Sequence, residues 1–579
     1  MRHRALAGRA RRGALVAAVL LLAAQSSAAD VITVEGDCTL VDAITAANTD
    51  APAGSCPAGS GADEIHLTGD VELSEVDNQT KGDNGLPSVT SLVTLVGNGF
   101  TIERLDGAPP FRLLHVGNTG ALELVDLVAT NGSSDRGAGV FVSPLGVLTL
   151  TGSTLTANHA TDVGGCVFAD GNVVIRSGSL VAGNSAEDGG GIGTPIGGGS
   201  VTVLDSEVSG NVAGNEGGGI RTATFAEGVT ITDSTFSDNR AFFGGGVSII
   251  NGIGDLNVTN STFSGNSALD RGGAILCSTD DVGGAILNST FSGNSAVDFG
   301  GALHIAECIL DIRHSTLSGN AASLGGGLAT APAVASVVLT GTIVANSPSG
   351  GNCLGDLIGD GGSNFDDDGT CPGALPITPA VDFDTVLADN GGPTPTHALL
   401  AGSVAADAAG ACGLATDQRL FARDDGSCDS GSFELGGTPP GVRSSVTGMT
   451  LRHVFCVNAT TGQSGTAEAE PGVPDWTCEQ LGVATGPGDR LQLAASGQAD
   501  GTDAVGGSVS GFPAPLGYRV DCRNLTTAQT VGFATAAVAW DCEAEGLIVT
   551  AGDRLWQGVR GELESEVTFE EHVLSSEAG

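Results

Sequence analysis

The stretch Ser289-Thr-Phe-Ser-Gly-Asn294 repeats, 28 residues later, the text of Ser261-Thr-Phe-Ser-Gly-Asn266. The last residue of each stretch belongs to a series of nine asparagines spaced 26 to 28 residues apart, and a glycine pair or run follows most of them. A fixed period of this size is typical of a solenoid. The nine residues are Asn131, Asn158, Asn184, Asn211, Asn239, Asn266, Asn294, Asn320 and Asn346.

An apolar residue stands three positions before each of these asparagines. Short β-type runs, such as Val201–Leu204 and Val229–Thr232, alternate with clusters of glycine, asparagine, serine and aspartate, which is the pattern of strands and turns. A coil of about 27 residues holds three short strands and three turns, and coils stack at ~4.8 Å. The sequence therefore predicts an all-β chain built on a parallel β-helix. The apolar residues, expected in one buried column, are Val128, Leu155, Val181, Val208, Phe236, Phe263, Phe291, Leu317 and Ile343.

The recurring asparagines have a structural and a functional interpretation. Stacked amides hydrogen-bond to one another along a column, as they do in cross-β packing. A glycine after such a residue permits a positive φ or a close approach between backbones. We interpret the column as a structural ladder, and a ligand-binding groove is the alternative.

Residues 1–29 have the pattern of a secretory signal peptide. Five arginines precede the apolar run 14–24, and Ser27-Ala-Ala29 offers a small-residue cleavage site after Ala29. No stretch reaches the ~20 apolar residues that a membrane-spanning helix needs. Without these five arginines, 18 basic residues remain against 66 acidic ones, a balance of −48. This charge argues against nucleic acid as a partner, and we expect a secreted or cell-surface monomer.

All 13 cysteines follow residue 29, and in an exported protein they favour disulfides. Neighbouring cysteines give the predicted pairs Cys38–Cys56, Cys353–Cys371, Cys412–Cys428, Cys456–Cys478 and Cys522–Cys542. The partners of Cys277 and Cys308 stay open. Cys166 is interpreted as a small buried apolar residue rather than a reactive thiol.

One acidic stretch has the spacing of a calcium loop. In Asn364-Phe-Asp366-Asp-Asp368-Gly369, alternate side chains point to one side and the glycine allows a sharp turn. The glutamate expected six residues after the glycine is absent, because Leu375 stands there. Calcium bound by Asn364, Asp366 and Asp368 is one hypothesis, and an acidic turn without a metal is the other. No other cofactor is predicted.

Glycoside hydrolysis on the predicted β-helix would require two carboxylates that face each other. Four aspartates stand four residues after a ladder asparagine, but Asn215, Phe243 and Leu324 interrupt the series, which is more typical of a solvated edge. We expect no catalytic residues, and a polysaccharide lyase or glycoside hydrolase is the alternative. The aspartates are Asp162, Asp188, Asp270 and Asp298.

The N-terminal text resembles that of a known family. Cys38-Thr-Leu-Val-Asp-Ala-Ile-Thr-Ala-Ala-Asn48 is similar to the segment that gives the CSLREA-type exported β-helix proteins their name, with Val41-Asp42 in place of Arg-Glu. Leu86-Pro-Ser-Val89 and Phe111-Arg-Leu-Leu-His115 also resemble the first coils of that family. The Phe-x-x-Asn and Gly-Gly-Ala elements of 263–275 and 291–303 are similar to repeats of polymorphic outer-membrane proteins.

The segment Gly350–Glu434 resembles the C-terminal module called a choice-of-anchor domain. The matching text is Leu387–His397, Asp417-Gln-Arg419 and Cys428-Asp-Ser-Gly-Ser-Phe-Glu434. These resemblances imply a right-handed β-helix exported to or past the cell surface, and they imply no particular reaction.

Residues Gly436-Gly-Thr-Pro-Pro-Gly441 form a Pro/Gly-rich linker, and a tandem duplication follows it. Ser445-Val-Thr-Gly-Met449 is echoed by Ser508-Val-Ser-Gly-Phe512, and Trp476-Thr-Cys-Glu479 by Trp540-Asp-Cys-Glu543. We expect two small β-modules, each stapled by one disulfide. The predicted organisation is a signal peptide (1–29), a β-helix (30–349), a capping module (350–435), a linker (436–444) and the duplicated modules (445–579).

The predicted function is surface display, adhesion or binding of an extracellular polymer or cell-surface component, without catalysis. A purely structural spacer is a further alternative.

Overall fold

The computed structural model describes residues 30–437 with short gaps and, between residues 443 and 561, the backbone of ten strands. The gaps are 224–225, 251–253, 279–282, 332–335, 356–357, 411–412 and 424–426. The predicted signal peptide lies outside the described residues, as do Cys412, Cys478, Cys542 and the side chains of Cys456 and Cys522.

Residues 30–376 form a parallel β-helix, which confirms the predicted fold. One coil runs through Thr235–Ser237, Arg240–Phe243, Val247–Ile250 and Leu256–Thr259 before Thr262–Ser264 opens the next coil directly above the first strand. The strands of this coil pair in parallel with those of the next coil, and a register shift between Ala241 and Phe243 interrupts the pairing of Arg240–Phe243 with Ser267–Arg271. The expectation of three strands per coil was wrong for the middle of the rod, where each coil has four strands. The chain turns at the recurring asparagine, so two short strands stand where one was expected.

The strands of the rod form four sheets. Sheet 1 contains Asp30–Val34, Ala62–Leu67, Leu92–Val96, Ala121–Val125, Val147–Thr151, Asn172–Arg176, Val201–Leu204, Val229–Thr232, Leu256–Thr259, Gly283–Leu287, Ile309–Arg313, Ser336–Thr340 and Ile358–Asp360. Sheet 2 contains Val71–Leu73, Thr101–Arg104, Val128–Thr130, Thr154–Thr156, Leu180–Ala182, Glu207–Ser209, Thr235–Ser237, Thr262–Ser264, Thr290–Ser292, Thr316–Ser318, Ile343–Ala345, Phe365–Asp366 and Leu375–Pro376. Sheet 3 contains Ser133–Arg136, His159–Val163, Ser185–Ala186, Val212–Ala213, Arg240–Phe243, Ser267–Arg271 and Ser295–Ala296. Sheet 4 contains Leu114–Val116, Val140–Val142, Val167–Ala169, Ile192–Gly193, Ile220–Thr222, Val247–Ile250, Ile275–Ser278, Leu303–Ile305, Leu328–Thr330 and Cys353–Leu354.

An α-helix, Leu40–Thr49, packs on the first coils and was not predicted. Thr39 caps the helix, because its hydroxyl accepts the N–H of Asp42 at 3.1 Å. The apolar side of the helix is buried, and a disulfide between Cys38 and Cys56 ties its start to the following loop. Within the described part of the chain, no helix has the length and apolarity needed to cross a membrane.

Two charged or polar side chains of the FRLLH motif are buried in the first coils. The Arg112 guanidinium is fully buried and donates to the carbonyls of Arg136 and Gly137 and to the side chain of Asn84. His115 contacts the hydroxyls of Ser88 and Ser143 at 2.7 and 2.9 Å. These contacts fasten the loop that carries the LPSV motif onto sheet 4.

The burial of His115 predicts a loss of stability in acid. Burial lowers its pKa from 6.5 to about 4, with the charge of Arg112 adding to the effect. The unfolded chain therefore takes up this proton below pH ~6.5 while the folded chain stays neutral, so stability falls between pH ~6.5 and ~4 and not above. We expect His115→Gln to remove ~2–3 kcal/mol of that acid loss, measured by urea unfolding across this pH range. Parallel pH profiles for the variant and the parent would contradict the assignment.

The predicted capping module does not form a separate cap. Sheets 1, 2 and 4 continue through Ile358–Asp360, Leu375–Pro376 and Cys353–Leu354, so the rod extends past residue 349. A disulfide between Cys353 and Cys371 closes this last coil. The described residues between 377 and 437, which we call the strap, then run along the outer face of sheet 2.

The strap binds to successive coils through hydroxyl and amide groups. Gln418 spans two coils, because its Nε2 donates to Thr262 Oγ1 at 2.8 Å and its Oε1 accepts from Thr290 Oγ1 at 2.6 Å. The N–H of Ser432 donates to Thr316 Oγ1 on the coil after that, at 3.1 Å. All three threonines are buried, so the strap removes this part of sheet 2 from solvent.

The strap also has an apolar anchor and a buried ionic centre. Its Phe383, Leu399 and Phe433 pack with Ile343 and Phe365 of the rod. Arg423 is fully buried and pairs with the fully buried carboxylate of Glu434. Burial raises the pKa of Glu434 to about 7, against the lowering effect of Arg423.

Two cysteines of the rod interior, whose partners the sequence left open, form a disulfide. Cys277 and Cys308 lie on neighbouring coils with Cα atoms 6.0 Å apart. Cys166 is buried as a free thiol, and burial raises its pKa, which agrees with its interpretation as an apolar residue. Cys428 is disulfide-bonded.

The two C-terminal copies share their sheets and do not form two separate modules. Sheet 5 has the order Asp475–Thr477, Arg443–Thr447, Gly506–Ser510, Ala539–Asp541. Sheet 6 has the order Gln463–Glu468, Met449–Asn458, Leu491–Ala499, Arg554–Gly561, Tyr518–Asn524, Gln529–Thr535. Both sheets are antiparallel, and each takes its first half from one copy and its second half from the other.

Candidate functional site

The asparagine ladder occupies the corner between sheets 2 and 3. Asn266 Oδ1 accepts the N–H and the Nδ2 of Asn239 at 3.1 and 3.0 Å. Its Nδ2 donates to the carbonyl of Phe236 at 2.8 Å and to Asn294 Oδ1 at 2.9 Å. The same pattern links seven buried residues of the described rod: Asn158, Asn184, Asn211, Asn239, Asn266, Asn294 and Asn320.

Asn131 and Asn346 lie outside this ladder. Asn158 accepts the N–H of Gly132, so the glycine, not Asn131, occupies the ladder position in that coil. Asn131 has a φ of 62° and Asn346 a φ of 61°. In the other coils, the residue with this positive φ is the one that precedes the ladder asparagine, so Asn131 and Asn346 occupy that turn position. At both ends the motif is displaced by one residue, since Leu155 pairs with Ala129 and Leu317 with Val344, so Val128 and Ile343 do not belong to the predicted apolar column.

Removing one rung should be costly, because the ladder amides are buried and fully paired. We expect Asn266→Ala to lower the free energy of unfolding by ~1–3 kcal/mol, since it removes the acceptor of the buried Asn239 N–H and one donor to the Phe236 carbonyl. Asn257→Ala, on the exposed face of the neighbouring strand, should change stability by less than about 0.5 kcal/mol. Equal urea midpoints for the two variants would contradict the structural role.

The glycine pairs that follow the ladder have two separate roles. The first glycine has a positive φ, which is 62° at Gly244 and 70° at Gly272. A Cβ on the second would lie 2.3 Å (Gly245) or 2.0 Å (Gly273) from the carbonyl oxygen of the second glycine in the next coil. Both roles proposed from the sequence, positive φ and close approach, are therefore confirmed.

A column of buried small residues, which was not predicted from the sequence, lies between the ladder and the glycines. Alanine stands two positions after each of the seven ladder asparagines and is buried under sheet 3. The period shows this column as clearly as it shows the asparagines. The residues are Ala160, Ala186, Ala213, Ala241, Ala268, Ala296 and Ala322.

The four aspartates of the interrupted acidic series, which share one offset from the asparagines, occupy two different positions in the structure. The residue immediately before the first glycine of each pair forms a bridge to the equivalent residue of a neighbouring coil. Among the four aspartates only Asp188 occupies this position, and it pairs with Val163. Asp162, Asp270 and Asp298 stand one residue earlier. In the coils of these three aspartates, the first glycine follows the ladder asparagine by six residues, whereas in the coil of Asp188 it follows by five. Counting four residues from each asparagine therefore selects two different structural positions.

Arginines form ion pairs with most of the carboxylates that stand just before the glycine pairs. Arg221 lies 3.7 Å from Asp188 Oδ2 and 3.2 Å from Glu216 Oε2, and all three side chains are largely buried. Burial raises the pKa of Glu216, while its hydrogen bond to Arg221 lowers it. Further pairs are Arg136–Asp162 at 2.7 Å and Arg271–Asp270 at 3.1 Å.

An apolar stripe runs beside these ion pairs on the outer side of sheet 3. Phe242, Leu269 and Val297 each stand three residues after a ladder asparagine and occupy three successive coils. They are 40%, 47% and 55% exposed. The pairing of Ala268 with Ala296 places Leu269 and Val297 side by side. Isolated apolar residues are common on surfaces, whereas an aligned set is typical of a contact surface.

The predicted calcium residues are brought together in the last coil but are engaged in other contacts. Asp366 accepts the N–H groups of Gly369 and Cys371, and Asp368 accepts those of Asn352 and Thr370. The side chain of Asn364 bridges Thr342 and the carbonyl of Leu339 on the preceding coil. In the described ranges no cluster of three or more His, Cys, Asp or Glu is placed to hold a metal ion.

Two coils of the rod are similar to the repeat of a known family. Residues 260–278 and 288–306 match the family model of the Chlamydia polymorphic membrane protein repeat. Each matched segment spans the strands of sheets 2, 3 and 4 in one coil and leaves out sheet 1. No curated protein and no solved structure matches the chain. The rod is therefore a parallel β-helix with two coils similar to polymorphic membrane protein repeats.

Proposed function

We propose that this protein is a surface-displayed, non-catalytic binding rod, and that the apolar stripe is its contact surface. The observation that carries the proposal is the alignment of Phe242, Leu269 and Val297, two of which lie in the matched repeats. Asp162, Asp188, Glu216 and Asp270 beside the stripe are paired with arginines, so they are poorly placed for reaction with a substrate and well placed to frame a contact surface.

Display outside the cell has separate support. The matched repeat belongs to a family of membrane proteins, and residues 1–29 have the pattern of an export signal. The resemblance to CSLREA-type and choice-of-anchor proteins points in the same direction. The partner is an extracellular polymer or a cell-surface component, and adhesion is the specific activity proposed.

A binding screen tests the stripe directly. The full chain would be applied to a glycan array and to whole cells, together with the triple variant Phe242→Ser, Leu269→Ser, Val297→Ser. A control triple variant, Leu92→Ser, Val147→Ser, Ile309→Ser, changes exposed apolar residues of sheet 1. We expect binding by the parent and the control and at least a tenfold loss in the stripe variant, with its melting temperature unchanged. Absence of binding by the parent would favour a structural spacer.

A second candidate function rests on Asp188 and Glu216. Two carboxylates around one arginine, with burial raising the pKa of Glu216, resemble an acid and base pair of a polysaccharide-active enzyme. Turnover of a uronate polymer that is abolished by Glu216→Gln and Asp188→Asn, but not by Asp162→Asn, would establish this function in place of the first.

Calcium binding by Asn364, Asp366 and Asp368 stays a prediction. A cation held only by the folded chain raises the melting temperature by mass action. Without a glutamate at position 375, affinity should be no better than the ~0.1–1 mM of extracellular modules. Calorimetry and thermal melts of the full chain, with Asp366→Asn and Asp368→Asn as variants, check this. No heat and no shift at about 10 mM calcium would leave an acidic turn.

A further inference from the structure

The two copies of the C-terminal duplication meet through equivalent strands. In sheet 5 the central pair is Arg443–Thr447 of the first copy against Gly506–Ser510 of the second. In sheet 6 the central pair is Leu491–Ala499 against Arg554–Gly561. In both sheets, the strands that meet are the ones that correspond in the duplicated sequence.

The register at both contacts is symmetric. Ser445 faces Ser508, its own counterpart 63 residues later. In sheet 6, Ala494 faces Gly558, which is 64 residues later and matches the offset between the two Gly-Asp-Arg-Leu motifs. When counterparts face each other in an antiparallel pair, a local twofold axis passes between them, as in the isologous interface of a C2 dimer.

The symmetry extends outward from the central strands. Ser444 pairs with Trp476, and its counterpart Gly507 pairs with Trp540. The hairpin of each copy closes at the same place, since Asn458 pairs with Gln463 and Asn524 with Gln529. The unit between residues 443 and 561 is therefore built as a pseudo-dimer within one chain.

We propose that the face by which each copy meets the other is a homotypic docking surface whose partner is a second copy of this chain. An unpaired strand edge presents free N–H and C=O groups and pairs readily with a matching strand. Within one chain, the six-residue connection 500–505 keeps the two copies at a high effective concentration, so the closed form dominates. Two chains join when the first copy of one pairs with the second copy of the other, an exchange that uses the same contacts.

Shortening the connection in the full chain tests the proposal. Deletion of residues 501–504 shortens the connection between Leu491–Ala499 and Gly506–Ser510 from six residues to two, which should disfavour pairing within one chain, so we expect a dimer of two full chains by light scattering. Deletion of residues 438–441, of the same length but before the duplication, should leave a monomer. A shortened chain that is monomeric, with the circular dichroism of the parent, would overturn the proposal.

A cross-link keeps the test informative if the shortened chain folds poorly. Two shortened chains with different tags would be co-expressed, one with Ser445→Cys and the other with Ser508→Cys. Directly facing residues of an antiparallel pair have Cα atoms about 4.5–5.5 Å apart, within reach of a disulfide. We expect a disulfide between the two tagged chains, and none when Thr535→Cys on the outer strand of sheet 6 replaces Ser508→Cys. No cross-link for the facing pair would overturn the proposal.

Discussion

Phe263→Ala should lower the free energy of unfolding by ~3–5 kcal/mol, because it opens a cavity in the middle of the aromatic column. The ring of Phe263 is fully buried and stacked between those of Phe236 and Phe291, with centroids 4.9 Å away on either side. Neighbouring coils are tied by their hydrogen bonds and cannot close the gap, so the cavity remains open. Urea unfolding of the full chain gives the measurement.

The matched control is Phe242→Ala, which removes the same side chain from the exposed face of the preceding coil. Because that ring is 40% exposed, its removal should cost much less than that of Phe263. Similar midpoints for the two variants would mean that the aromatic column does not stabilise the rod.

Arg423→Ala should release the strap from the rod. Its guanidinium donates to Glu434 and to the carbonyls of Asp429 and Gly431, and it reaches Asn288 of the rod at 3.2 Å. Loss of one partner from a buried ion pair typically costs ~3–5 kcal/mol. We expect faster hydrogen exchange of the strap amides, with residues 100–200 of the rod unchanged.

Arg240→Ala is the control for this prediction, because Arg240 is exposed on sheet 3. It should leave exchange in the strap unchanged. If Arg423→Ala also leaves it unchanged, the ionic centre contributes nothing to docking, and the apolar anchor and the contacts of Gln418 and Ser432 hold the strap.

The sequence predicts the interior of the rod well because each coil places the same residue types at the same positions. The phenylalanine column and seven of the nine ladder asparagines follow from the period alone, since residues at equal positions in stacked coils must meet. The ends of the ladder could not be predicted this way. At Asn131 and Asn346 the motif is intact, but the register shifts by one residue, and only the pairing of neighbouring strands shows it.

Features that depend on contacts distant in sequence were missed. The strap meets sheet 2 through Gln418 and Thr262, which are 156 residues apart, and no periodicity connects them. The pseudo-dimer was missed for a different reason. A tandem repeat is equally compatible with two independent modules and with two halves of one unit, because its text does not show which strand edges meet.

The contact between the strap and the rod has a consequence for how this protein changes in evolution. The strap contacts the same residue type, threonine, on three successive coils, and Thr235 occupies the equivalent position one coil further towards the N-terminus. A duplicated or deleted coil in this region would therefore present an unchanged row of hydroxyls to Gln418 and Ser432. Recombination between the near-identical coils can lengthen or shorten the rod in steps of ~4.8 Å without requiring a new interface.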